Sequence, residues 1–232
     1  MKISLTDADL ENLILQRTGP FIDLGGGRAL KHWFQTGEKT QLGRFLSQAG
    51  KVNEFIERVV AGIAAEFAQL SPHIQKVEAK SVVSIGPGLG FFELMTYNVN
   101  RTRLLLVDIE QSDEHQHGFA ERGSGYSQLS TCRRLLVANG VDPGHVETGN
   151  PRNQPLPPGE FCVLVSLISM GFHYPCDEYA DFVLSGLRRG GPLIFDKRIN
   201  SRDGGWEKIK PHSDIVAEAA STKSRRLVLS RK

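Results

Sequence analysis

Cysteine is scarce in this chain and scattered where it occurs: Cys132, Cys162 and Cys176 are odd in number, widely spaced and form no C-x-x-C pair. That argues against a disulfide scaffold and a structural zinc site, and it points to a reducing, cytoplasmic compartment. Long apolar runs are also missing. Nothing approaches the roughly 18 residues a membrane helix needs, and Met1-Lys-Ile-Ser-Leu-Thr-Asp-Ala-Asp9 has no apolar core of a targeting segment, so a soluble protein with no membrane partner is expected. An excess of one charge is absent as well. Lys and Arg number 28 against 26 Asp and Glu, a net +2, so nothing global demands nucleic acid as a partner. The modest basic cluster at Lys223, Arg225, Arg226, Arg231 and Lys232 reads as a solvated edge. With 232 residues, 40% of them hydrophobic and 23% charged, the chain can bury one substantial core with a small cap.

What is present is a glycine-rich turn between two aliphatic runs. Ser81-Val-Val-Ser-Ile85 enters Gly86-Pro-Gly88-Leu-Gly90, a helical pattern starts near Leu89, and Leu104-Leu-Leu-Val107 ends on Asp108. This is half of a mononucleotide-binding βαβ unit: the glycines let backbone approach a ligand, the helix N-terminus offers free N–H groups, and a carboxylate on the next strand can accept both hydroxyls of a ribose. Asp108 lies about 20 residues past the glycines, the reach of one strand–helix–strand step. An ordinary tight loop is the alternative for the glycines taken alone.

Around this unit the chain alternates. Residues 5–17 predict a short helix capped by Thr6 or Asp7, and Phe21-Ile-Asp-Leu-Gly25-Gly-Gly27 reads as a flexible connection between helices. Leu30 to Phe45 is rich in aromatics and cations, with His32 and Trp33 as weak site candidates. From Lys51 to Leu70 apolar residues recur at three- and four-residue steps, predicting a long amphipathic helix that Ser71-Pro72-His73 ends. Residues 1–75 are thus expected to form a helical cap and 76–232 the sheet-containing domain; the helices simply cover the sheet or, as the family resemblance given below implies, cap its substrate side. Glu110 to Gly125, with His115 and His117, reads as a solvated loop without metal-ligand spacing. A helix over 127–138, a third strand over 145–148, a central strand Phe161–Ser166, a helix from 176 or 177 to 187 and a fifth strand Pro192–Asp196 follow. Residues 206–209 predict a turn or two of helix, and 214–219 with 226–230 an antiparallel hairpin, although Ala217 to Ala220 also favour helix.

Ile85-Gly-Pro-Gly-Leu-Gly90 followed by Asp108 resembles motif I and the acidic residue of the class I S-adenosylmethionine-dependent methyltransferases, and the resemblance continues in order to Asp196. It fits the dinucleotide fingerprint less well, because Gly90 comes one position early for GxGxxG. The resemblance implies an α/β fold: a Rossmann-like sheet with helices on both faces and a C-terminal antiparallel hairpin. It implies S-adenosyl-L-methionine as cofactor, its methionine part over Gly86, Gly88 and Gly90, its ribose against Asp108, and its adenine near Ile109 and Asn150, with Ser166 also on the cofactor side. Asn150 can equally cap a turn. Cys162 stands where many relatives have Asp, a departure from the pattern.

Leu167-Ile-Ser-Met-Gly171-Phe-His173-Tyr174-Pro175 follows the fourth strand, where open α/β sheets place ligands, and it is similar to the loop of some bacterial sugar-type O-methyltransferases. His173 suits a base near neutral pH and Tyr174 an orienting group; a structural imidazole is the alternative for His173. Metal-dependent small-molecule O-methyltransferases carry carboxylates after this strand, where this chain has Ser166, Leu167 and Ile168, so no metal is expected. The Asn-Pro-Pro-Tyr type loop of base- and glutamine-methylating relatives is absent. The expected activity is methyl transfer to a hydroxyl or amine of a small organic acceptor, with a homodimer left open. The alternatives are a non-catalytic cofactor-binding or interaction protein on the same fold, or an NAD-dependent oxidoreductase, which would want GxGxxG and a Tyr/Lys proton-donor pair.

Overall fold

In the computed structural model, residues 3–110 and 128–232 are described. The expected loop with His115 and His117, and Ser127 at the start of its helix, lie outside the described residues. By internal contacts the chain divides into two units, residues 1–69 and 70–232.

The first unit is helical: α1 (Asp7–Gln16), α2 (Thr18–Asp23), α3 (Gly27–Thr36), α4 (Thr40–Gln48) and most of α5 (Val52–Gln75). Thr6 starts α1 through a capping box. Its hydroxyl accepts from the Asp9 N–H while Asp9 accepts from the Thr6 N–H, so two orphan donors of the first turn are satisfied. The segment read as a flexible connection is instead a short helix and a turn, because Phe21 is an anchor. Its fully buried ring meets Phe45 edge-on at 5.5 Å and Phe55 at 6.3 Å. Pro72 does not end α5, which runs one turn further. The missing proline N–H removes one bond, while Leu70 and Ile74, one turn apart, are both buried and hold the helix in place.

The second unit is an α/β sheet. Its elements are β1 (Ser81–Ile85), α6 (Phe91–Asn100), β2 (Arg103–Val107), α7 (Leu129–Ala138), β3 (Val146–Gly149), β4 (Val163–Ser166), α8 (Asp177–Gly186), β5 (Pro192–Arg198), α9 (Gly204–Ile209), β6 (Ser213–Ala220) and β7 (Ser224–Arg231). Their order is β3-β2-β1-β4-β5-β7-β6. The first five strands pair in parallel, and β7 enters antiparallel between β5 and β6. The 213–220 segment is therefore strand rather than helix: pairing with β7 outweighs the helical preference of its alanines, with a register shift between Ile215 and Ala217.

Strand alternation puts helices on both faces. Val83, Ile85, Leu193, Phe195, Leu227 and Leu229 pack with Tyr179, Val183 and Ile209 of α8 and α9. The intervening Ser84 faces α6, where its hydroxyl meets Glu93. Burying each large apolar side chain stabilises the fold by about 1.5–3 kcal/mol. The strand order reverses between β1 and β4, which opens a crevice at their carboxyl ends.

Candidate active site

The glycine turn fills one wall of that crevice. Gly86, Gly88 and Gly90 all adopt left-handed backbone, with φ of 71°, 59° and 82°. At Gly86 a side chain is excluded twice over: by the backbone, and by Ser169, whose Oγ and Cβ occupy the place an added Cβ would take. The left-handed Gly90 caps α6, so the helix begins at Phe91 rather than near Leu89. The Gly86 N–H donates to Val107 O at 2.8 Å, tying the turn to the end of β2.

Asp108 and Ile109 follow β2 and are both buried. The Asp108 carboxylate accepts the Glu110 N–H at 2.7 Å, and its own N–H donates to Gly149 O at the end of β3. Glu110 sits in left-handed backbone and takes two further bonds, from the N–H of Leu129 at the start of α7 (3.1 Å) and from Asn150 Nδ2 (3.3 Å). Asn150 also accepts the Arg152 N–H at 3.0 Å, so it caps its turn and reaches Glu110 at once. A cavity of about 480 Å³ lies here, lined by Glu110, Ser130, Arg133, Thr148, Asn150 and Gln154 among others.

Behind the turn is a buried acid. Glu93, in the first turn of α6, takes a 2.5 Å hydrogen bond from Ser84. Burial pushes the neighbouring Cys132 thiol well up, and the Glu93 and Asp108 charges push the same way, which keeps that sulfur a thiol.

The loop after β4 forms the opposite wall. The buried Ser166 hydroxyl donates to Ile85 O at 3.0 Å and accepts the Met170 N–H at 2.8 Å, so it braces β1 against the loop. Ser169 O collects the N–H groups of Phe172, His173 and Tyr174, and the Gly171 N–H returns to Tyr174 O. The result is a tight knot that presents a half-buried His173 and a buried Tyr174, with the His173 ring edge-on to Phe172 at 4.9 Å. Ile168 has φ of 58°, rare for a β-branched residue, and its N–H donates to Asp196 Oδ2 at 3.0 Å. Asp196 is in turn gripped by Arg226 through two bonds of 2.8 and 2.9 Å.

The structure thus brings Gly86, Gly88, Gly90, Asp108, Ile109 and the Ser166–Tyr174 loop to the carboxyl ends of β1, β2 and β4. Asn150 joins them through Glu110. In the helical unit, Trp33 is buried and His32 faces Glu38 at 3.4 Å on the surface. Sequence reasoning gave no role to Glu93 or Ser169, placed Glu110 in a solvated loop, took Asp196 only as the end of the family pattern, and put Arg226 on a solvated edge, whereas its side chain is 18% exposed and paired with Asp196. Only Glu93 carried a local signal, as the one acid in an apolar first turn. Cys162 lies just before β4, where Ser81 Oγ takes its backbone N–H and donates to its sulfur. Burial raises that thiol, but hydrogen bonds with Ser81 and the Lys80 backbone together with the Arg188 charge outweigh this and leave it below its ordinary value.

No family model matches the chain, and no curated protein matches it. Among solved structures it is similar to geranyl diphosphate C-methyltransferase from Streptomyces coelicolor A3(2), in a complex with Mg2+, geranyl diphosphate and S-adenosyl-L-homocysteine. The TM-score is 0.57 at 11% identity, over 78% of this chain and 84% of that one. Residues 961–1257 of StiE O-MT match with a TM-score of 0.57 and 14% identity, over 82% and 81% of the two chains. Together with the strand order and the C-terminal hairpin, these likenesses show that the chain has the fold of the class I S-adenosylmethionine-dependent methyltransferases.

Proposed function

We propose that this chain binds S-adenosyl-L-methionine at the crevice and transfers its methyl group to a hydroxyl or amine of a small organic acceptor. The observation that carries the reading is the convergence of a left-handed glycine turn, a carboxylate one strand further on and the knotted loop after β4 at one sheet end. The residues suit the group. Gly86, Gly88 and Gly90 bring backbone to its methionine part, Asp108 has the chemistry to accept from a ribose diol, and Ile109 with Asn150 offers an apolar surface and an amide to adenine. Ser166, whose hydroxyl is engaged on both sides, serves this site by bracing it.

The cofactor supplies a methyl already activated by its sulfonium, so the protein's share is alignment and exclusion of water. His173 would accept the proton that an acceptor hydroxyl gives up; an amine acceptor needs no such base once neutral. Tyr174 orients the acceptor. The expected partner is a small molecule, and nothing in the balanced charge favours nucleic acid.

Calorimetric titration with S-adenosylmethionine and S-adenosylhomocysteine, with NAD as control, tests the reading on wild type and Asp108→Ala. Micromolar binding of the first two, lost in the variant, supports it. Binding of NAD alone, or of none of the three, overturns it.

A further inference from the structure

The loop after β4 does not hold its shape by itself. Ile168 is β-branched and left-handed, a conformation that persists only where surrounding bonds over-determine it. One of those bonds runs to Asp196 Oδ2, on a strand 28 residues away, and the same carboxylate is aligned by the planar fork of Arg226, its direct cross-strand partner on β7. Asp196 is 2% exposed, so its carboxylate is held by protein groups and not by water. From Ile168 the contacts continue without a gap. Ser169, the next residue, occupies the space that a side chain at Gly86 would need, and its carbonyl gathers the N–H groups of Phe172, His173 and Tyr174. The Arg198 N–H, at the end of β5, closes the knot on Gly171 O at 2.8 Å.

We propose that Arg226 and Asp196 are positioning residues for the candidate site, so that the C-terminal hairpin sets both the glycine turn and the His173 loop. The pair acts through Ile168, whose N–H it holds, and through Ser169 beside it. The proposal rests on the reading of the crevice as a cofactor site, and it makes cofactor affinity depend on a guanidinium three strands away from the glycines.

The test compares wild type with Arg226→Met, Arg226→Lys and Arg225→Met. Arg225 is the adjacent residue on β7 and pairs with surface Glu218, so its variant controls for loss of a charge from this strand. S-adenosylhomocysteine affinity is measured by calorimetry at a temperature where each variant is folded, and amide hydrogen exchange is followed at Ile168, Phe172, His173 and Tyr174. Arg226→Met is expected to bind about tenfold more weakly and to exchange faster at those amides. Arg226→Lys, which keeps charge but not the fork, falls between, and Arg225→Met behaves as wild type. A merely structural pair lowers the melting temperature and leaves affinity and loop exchange unchanged, which overturns the proposal; so does an equal loss in Arg225→Met. If Arg226→Met does not fold, Arg226→Lys decides in the same terms. If wild type itself does not bind S-adenosylhomocysteine, the methyltransferase reading fails, and loop exchange alone decides the positioning role.

Discussion

Arg225 and Arg226 are neighbours on one strand, each with a carboxylate partner, yet they sit in different physical worlds. Arg226 lies with its side chain 18% exposed against an Asp196 side chain that is 3% exposed, and the acid also holds a loop amide. Arg225 pairs with Glu218 where both side chains are open to solvent, and among the described residues that carboxylate holds nothing else. The same two charges thus act as a clamp in one place and as surface decoration in the other. Burial and the third partner make the difference.

The largest effect is expected from Asp196→Ala. It removes the carboxylate that Arg226 and the Ile168 N–H share, and should lower stability by about 3 kcal/mol in urea unfolding. Attacking the other end of the same contacts, Gly86→Ala forces an alanine into left-handed backbone and its methyl into Ser169, for about 2 kcal/mol or more by the same measurement. Arg226→Lys keeps a charge and gives up the bidentate fit, for about 1 kcal/mol. Glu218→Gln should change nothing measurable. The Arg225 hydrogen bond holds the Glu218 carboxyl below its usual 4.5, so any contribution is present above that value and disappears as pH falls through the lowered one. Screening by solvent and salt leaves this within the error of thermal melts taken at pH 7 and pH 3. A Glu218→Gln effect as large as that of Asp196→Ala would erase the contrast between the two pairs.

Much of the sheet was legible because its signals are local. Ser81–Ile85 and the run ending on Asp108 are short apolar stretches bounded by glycine or acid, and their order fixes a parallel unit. The misreadings have local causes too. Three consecutive glycines suggested slack where Phe21 is fully buried, and Pro72 suggested an end where Ile74 anchors one more turn. Within the site, the glycines and Asp108 announce themselves by spacing. Asn150 bonding to Glu110 across 40 residues, and Asp196 to Ile168 and Arg226 across 28 and 30, leave no pattern in a single sequence. Those partners meet only once the strands have been ordered.

That ordering has a consequence for how the molecule comes into being. β7 is later in the chain than β6 but lies inside it, directly against β5. During synthesis β5 therefore waits with one edge open, and a nascent chain that has emerged only to Ala220 cannot finish its central sheet, however much of its core is already made. Asp196 stays without its arginine through that interval. The proposed cofactor site accordingly waits for β7 to emerge and does not form with the glycine turn alone.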